Sequence, residues 1–400
     1  MSPERSRAAI AGVATEFAAA IPDKSLLQLR ADVARAAAED AGIALKDVDG
    51  LIIGESTGIS NPRYHMEFAE LLGLYETPLC VSVPMGGASA GYALEIARWA
   101  LEQGRCRNIL VLQGRKERSA GPSESGQRYT EMMATLTMHY PDYELPFGPL
   151  MPSFYGAVAQ RHMYEYGTTE EQLASVAVAI RHNASLNPDA VYRDPITVDD
   201  VLASPMISSP LHRLHCCMIN DGATAWVLTT GERAVDGPHP PVYVLGSGGG
   251  QAGYFTGFLA TMGRERGYSL TRTLGVRAAE DAFAEAGVSR DEVDLATIGD
   301  SFAISPLVLL EDYGFCEKGE GGSFVGDGSR IMVGGELPVN PHGGLLSCSH
   351  AAANFQNYVE ATLQLRGVCG ERQVPDARIA LASCNAGIIS THYVAVLARG

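Results

Sequence analysis

The sequence predicts an α/β protein made of two related halves, with a helical excursion inserted in the first. Three observations predict it. Residues 41–56, AGIALKDVDGLIIGES, are echoed 245 residues later by residues 286–301, AGVSRDEVDLATIGDS. Each copy follows an Ala/Leu-rich amphipathic helix and contains a strand-like apolar run. The same order found twice points to duplicated halves, beyond what local chemistry explains. A second pair agrees. EIARWALEQG (95–104) is a helix with a Gly stop leading into the strand NILVL (108–112). VEATLQLRG (359–367) is a helix with a Gly stop leading, through a longer connection, into RIALA (378–382). The stopping glycines, Gly104 and Gly367, lie 263 residues apart. The third observation is the Pro-rich stretch DGPHPPV (236–242), which reads as a connector. The halves are therefore expected at 1–235 and 240–400.

The excursion is expected at about 117–212. It begins with the polar stretch ERSAGPSESGQRYTEMM (117–133), a loop by composition. An amphipathic helix follows in PFGPLMPSFYGAVAQRHMYEYG, ending at Gly167. Thr168 and Thr169 then precede EEQLASVAVAIRHNASLNP, a capped helix with acids in its first turn and basic residues at its end.

Composition bounds the function. The chain has 400 residues, 46% of them hydrophobic, which is ample for large cores. A formal net charge of −16 argues against nucleic acid or an anionic membrane as the main partner. A phosphorylated small ligand remains compatible, because helix N-termini and a few Arg residues can hold phosphate. The N-terminus lacks an apolar run long enough for a signal peptide, and no stretch of about 18 apolar residues suggests a membrane helix. None of the eight Cys forms CxxC, so reduced thiols in a cytoplasmic protein without a metal site are the simplest expectation.

Several segments then carry a family resemblance. RHMYEYGTTEEQLASVAVAIRHNASLNP (161–188), NDGATAWVL (220–228) and VNPHGGLLSCSH (339–350) resemble segments of sterol-carrier-type thiolases, the last being similar to the block NPxGGxxxxGH. The resemblance spans nearly the whole chain in order. It implies the thiolase fold: two pseudo-duplicated halves in five layers, α-β-α-β-α, with a helical loop domain.

The resemblance also implies where a catalytic Cys should stand, at the N-terminus of the helix that stops at Gly104. Counting back along the family spacing, that position falls on Gly87 in PMGGASAGYALEIARWALEQG. The internal repeat agrees, since Gly87 pairs with His350 at the same 263-residue offset and the two family positions are pseudo-symmetric. No nucleophilic Cys is present. Ser89 is nearby, either as a nucleophile needing an activating base or as a small residue that lets the helix pack. Cys80 reads as a core thiol on a buried strand, and Cys216 and Cys217 read as packing at the start of another. His350 matches the family His that contacts the thioester oxygen or moves protons. Cys384, in ASCNAG, matches the second thiolase cysteine, an acid/base residue, although it is equally compatible with the core. Asp300 matches a loop acid, or serves as a helix N-cap. Gly87, Ser89, Asn340, Gly344, Gly387 and Cys348 are the candidates for substrate or oxyanion binding. His342 reads as a structural loop residue.

Without an acyl-enzyme, a cleft with an oxyanion site and a proton carrier can still stabilise a thioester enolate, the leaving group of retro-aldol cleavage. VPMGGASAG (83–91) and GFCEKGEGGSFVGDG (314–328) resemble the lipid-transfer-protein aldolases, which also have a Gly-Gly turn in place of the Cys. Their tyrosine acid/base positions fall here on Gly299 and on or near His350, so neither Tyr is present. The lead expectation is an acyl-CoA lyase cleaving a 3-hydroxyacyl-CoA. Alternatives are a thiolase-type acyltransferase with a non-standard nucleophile and a non-catalytic acyl-CoA or lipid-binding subunit. The resemblance implies coenzyme A thioester as substrate, no other cofactor, a homodimer, and a small zinc-ribbon/OB-fold partner protein. The loop around 119–146 is expected to line or cover the pocket. The Met-, Tyr- and Phe-rich run MMATLTMHYPDYELPFGP (132–149) suggests an apolar acyl chain or ring, or equally packing at a dimer interface.

Overall fold

The computed structural model describes residues 8–54, 63–119, 151–251 and 267–400. The first half begins with β1 (Ala8–Ala18), α1 (Leu26–Asp40), β2 (Gly50–Gly54) and α2 (Tyr64–Leu71). It continues with β3 (Leu79–Val83), α3 (Ser89–Glu102) and β4 (Asn108–Lys116). The excursion supplies α4 (Met151–Tyr166), α5 (Glu170–Ser185) and the short strands β5 (Met206–Ser208) and β6 (Leu211–His212). β7 (Asp221–Thr230) returns to the main sheet. The second half contains β8 (Val242–Gln251), α6 (Gly275–Ala286), β9 (Leu295–Thr297), α7 (Ile304–Asp312), α8 (Phe355–Arg366), β10 (Ile379–Ala386) and β11 (Thr391–Arg399).

The main sheet runs β3-β2-β4-β7-β1-β8-β11-β10-β9. Read outward from its middle, the order β1-β7-β4-β2-β3 is mirrored by β8-β11-β10-β9, extended by a parallel bridge from Ala296 to Val339. Pairing types match as well: in each half the two inner pairs are antiparallel and the β2–β4 and β9–β10 pairs are parallel. Among the described residues, two residue pairs, Ala9↔Tyr243 and Ile10↔Val242, join the half-sheets. α1 packs on β1, β4 and β7, and α6 on β8 and β11, so each covers the outside of its own half. α3 and α8 touch strands of both halves and form the layer between them. This is the five-layered order of the thiolase fold.

The repeated motif has one conformation in both places. A helix ends at a left-handed glycine (Gly42, φ 66°; Gly287, φ 71°), a 3-10 turn follows, and a strand begins. The shared Asp has the same task twice. Asp49 accepts from the N–H groups of Arg107 and Asn108, and Asp294 from those of Arg378 and Ile379. α5 begins in the expected capping box, Thr169 with Gln172, and α4 stops at Gly167 with φ 75°. Two thiol expectations need correction. Cys80 is half-buried, because β3 is the outermost strand and has a neighbour on one side only. Cys216 and Cys217 are also half-buried and lie in a connection, where Cys216 makes an isolated bridge to Phe302. The segment expected to line the acyl site lies, from residue 120 to 146, outside the described residues.

Candidate functional site

Three segments converge where the two halves meet. The first is the 3-10 turn Gly86–Ala88, which leads directly into α3. The second is residues 340–354, which run from Val339, bridged to Ala296 of β9, into α8. The third is the turn after β10, Cys384 to Gly387, where Gly387 has φ 56°. Gly86, Gly87, His350, Ala386 and Gly387 keep some exposure, whereas most of their neighbours are buried. These five residues form the mouth of the site.

Gly87 is closed to any side chain. A Cβ there would lie 2.4 Å from the Asn385 carbonyl oxygen, closer than real Cβ contacts come, and 3.3 Å from Asn354 Nδ2. Asn354 Nδ2 donates to the Gly87 carbonyl at 2.9 Å and to the Asn385 carbonyl at 3.3 Å, tying the first and third segments together. Gly299, at the end of the β9 segment, is closed in the same way. Its Cβ would lie 1.8 Å from Asn385 Oδ1 and 3.3 Å from Asn354 Oδ1. Neither Gly87, where the resemblance would put a nucleophile, nor Gly299 has room for a side chain in this fold.

His350 is held through its backbone. Asn220 Oδ1 accepts from the N–H of His350 at 2.9 Å and of Ala351 at 3.1 Å, and Asn220 Nδ2 donates to Ser349 Oγ. Loss of solvent around the ring, with the Arg115 charge acting on it, lowers the His350 pKa to about 4. The imidazole is thus neutral at pH 7 and able to accept a proton.

Asp300 is fully buried and turned onto the segment before His350. Its carboxylate accepts from the N–H of Leu345 at 2.7 Å and of Leu346 at 3.4 Å. Burial pushes its pKa up to about 7 against the pull of these bonds and of Asn340. It caps the π-turn Gly344–Cys348, not the helix that follows it in sequence. Gly344 is glycine for the same reason, since a Cβ would meet Asp300 Oδ2 at 2.0 Å.

Cys384, Ser89 and Asn340 have their polar atoms engaged in the framework. Cys384 is fully buried under α3, where its sulfur accepts from Gly91 N–H at 3.2 Å and donates to the Ala88 carbonyl at 3.5 Å. Burial pushes that thiol up to about 12, so it is protonated at neutral pH. Ser89, expected at the substrate, is fully buried with its Oγ accepting from Met85 N–H at 3.0 Å, which closes the turn before α3. Asn340 spends both ends of its amide on the Ile298 backbone. Cys348 is buried with Ala184 and Ala190. His342 is buried with both ring nitrogens unpaired among the described residues, and burial lowers its pKa to about 4. Asn220, Asn354 and Asn385 were absent from the sequence-based candidates. Asn385 could have been suspected from the altered CNAG loop, and Asn220 from NDGA, but Asn354 carries no local signal. Among the described residues, no group of three or more His, Cys, Asp or Glu is arranged to hold a metal ion, and no helix is long and apolar enough to cross a membrane.

Comparison with known proteins places the chain in a family. Residues 8–232 match the family described as Thiolase, N-terminal domain, and residues 261–399 that described as Thiolase C-terminal domain-like. An acetyl-CoA acetyltransferase of Methanothermobacter thermautotrophicus is 34% identical, covering 98% of this chain and 99% of the relative. A steroid side-chain-cleaving aldolase of Thermomonospora curvata is 33% identical, covering 97% of each. Among solved structures, the Ltp2-ChsH2(DUF35) aldolase superposes with a TM-score of 0.84 at 30% identity, covering 98% of both chains. With both halves matched in order over nearly its full length, the chain belongs to the thiolase family.

Proposed function

We propose that the protein is an acyl-CoA lyase that cleaves a 3-hydroxyacyl-CoA by a retro-aldol reaction, without a covalent acyl-enzyme. The observation that carries this reading is the closure of Gly87 by the Asn385 carbonyl, which leaves no room for a nucleophile at the head of α3. The similarity to named aldolases supports it. His350, neutral and at the mouth, takes the proton of the substrate 3-hydroxyl. The C2–C3 bond then breaks, C3 becomes an aldehyde or ketone, and the electron pair passes to C2 as a thioester enolate. The enolate oxygen is stabilised by backbone N–H groups at the Gly87 turn and at Gly387, and the proton taken by His350 is returned to C2, giving the shortened acyl-CoA and the neutral imidazole. Asp300 and Asn220 position the His350 segment.

The protein works in the cytoplasm with coenzyme A thioesters, as a homodimer and with a small zinc-ribbon/OB-fold partner. The DUF35 chain named in the similar aldolase structure supports the partner, and the single-sided β3 edge supports the dimer. The test combines intact mass with an aldol assay. The protein is incubated with acyl-CoA and 3-oxoacyl-CoA esters, then assayed for cleavage of 3-hydroxyacyl-CoA esters with and without the partner. Unchanged mass with aldehyde or ketone release is expected. An acyl adduct on the protein would replace this reading with an acyltransferase.

A further inference from the structure

A buried carboxamide at the site has no partner. Asn385 is 4% exposed, and both its Nδ2 and Oδ1 lack a hydrogen bond among the described residues. Asn354 is 1% exposed, and its Oδ1 is likewise unpaired although its Nδ2 is used. Buried polar groups are almost always hydrogen-bonded, and an unpaired one costs roughly 1–3 kcal/mol. Three unpaired atoms in one place are therefore unusual in a folded interior. Their surroundings were cleared for them: the Asn385 side chain lies in the space a Cβ on Gly299 would take, and its backbone in that of Gly87. The neighbouring Gly86, Gly87, Ala386 and Gly387 keep the place partly open to solvent.

We propose that the Asn385 carboxamide, set between Gly87 and Gly299 and braced by Asn354, binds the thioester carbonyl of the acyl-CoA substrate and stabilises the enolate oxygen. The proposal rests on the lyase reading for its substrate class. A carboxamide donates and accepts hydrogen bonds but carries no titratable proton near neutrality. Its task is thus separate from the proton transfer at His350. The carboxamide's hydrogen bond to the thioester oxygen strengthens as negative charge develops there, which is the condition for stabilising a transition state more than a ground state.

The proposal is tested by following exchange of C2 hydrogens of propionyl-CoA for deuterium in D2O, a reaction that needs the enolate but no carbon–carbon cleavage. Asn385→Ala should slow exchange by about 100-fold, equally at every pH, with KM changed less than threefold. Its melting temperature should stay level or rise, because an unpaired buried amide has been removed. Asn385→Asp, which brings a negative charge to the oxyanion, should slow exchange further. Exchange within threefold of wild type in folded Asn385→Ala overturns the proposal. So does a melting temperature that falls in step with activity, which marks a structural residue. Absence of exchange in the wild type overturns it too. Wild-type exchange without any cleavage of 3-hydroxyacyl-CoA sinks the lyase reading alone and leaves the role of Asn385 standing.

Discussion

At the scale of single residues, the site is defined by what two glycines exclude. Gly87→Cys restores a thiol in sequence but not in space, since its Cβ must push against the Asn385 carbonyl. It should destabilise the protein by about 1–3 kcal/mol and form no acyl adduct, which urea unfolding and intact mass would check. His350→Ala should slow cleavage by roughly 10²–10⁴-fold, the range for a lost general base, while leaving acyl-CoA binding within a fewfold. Buried histidines also set the pH dependence of stability. Burial lowers His342, His350 and His215 to about 4 from their ordinary 6.5. Between these values the unfolded chain binds protons the folded chain does not, so stability is lost as pH falls from 6.5 toward 4. Asp300, raised to about 7, opposes this: its contribution is full below 3.8 and lost as pH rises to 7. The net effect is lower stability at pH 5 than at pH 7. His342→Leu should shrink that difference by close to one proton's worth, and an unchanged slope would show that His342 does not stay neutral in the fold.

At the scale of elements, the duplicated motif is a device for starting a central strand. The Asp of each copy accepts the N–H of the first residue of the strand beside it and of the residue just before, at β4 for Asp49 and at β10 for Asp294. Replacing either Asp with Ala leaves both donors without the acceptor and should cost about 1–3 kcal/mol. The two sites share no partner, so the double variant should lose the sum within roughly 0.5 kcal/mol. Chemical denaturation of the three variants would measure this. Unequal losses would mean that the halves have diverged in how they hold their strands.

At the scale of the whole molecule, the two half-sheets are joined by little backbone pairing and by much side-chain packing. Trp226 of β7 is fully buried and lies against Tyr358 and Phe355 of α8, with ring centroids 5.0 and 5.4 Å apart. Arg98 of α3 reaches Glu285 of α6 at 2.6 Å and Ser247 of β8 at 2.7 Å. Neither half can leave without exposing the central layer, so the chain should unfold in one transition. Trp fluorescence and far-UV circular dichroism should trace the same curve in urea. Two separated transitions would show that the halves are independent units.

The duplication, the helical excursion and its capped helix, and the glycine stops were all legible in the sequence by itself. These depend on local periodicity, on left-handed glycines and on matching order, which the chain carries along its length. The mirrored strand order, the shared central layer and the half-buried state of Cys80, Cys216 and Cys217 were decided by tertiary structure. Site residues divided in the same way. His350 could be placed from its block, but whether Cys384, Ser89, Asn340 and Cys348 face substrate or framework depends on which backbone groups meet them. Asn385 and Asn354 matter through contacts with Gly87 and Gly299, which lie far away in the chain. A side chain's type is written in the sequence, but its hydrogen-bond partners and the space left around it exist only once distant segments have been brought together.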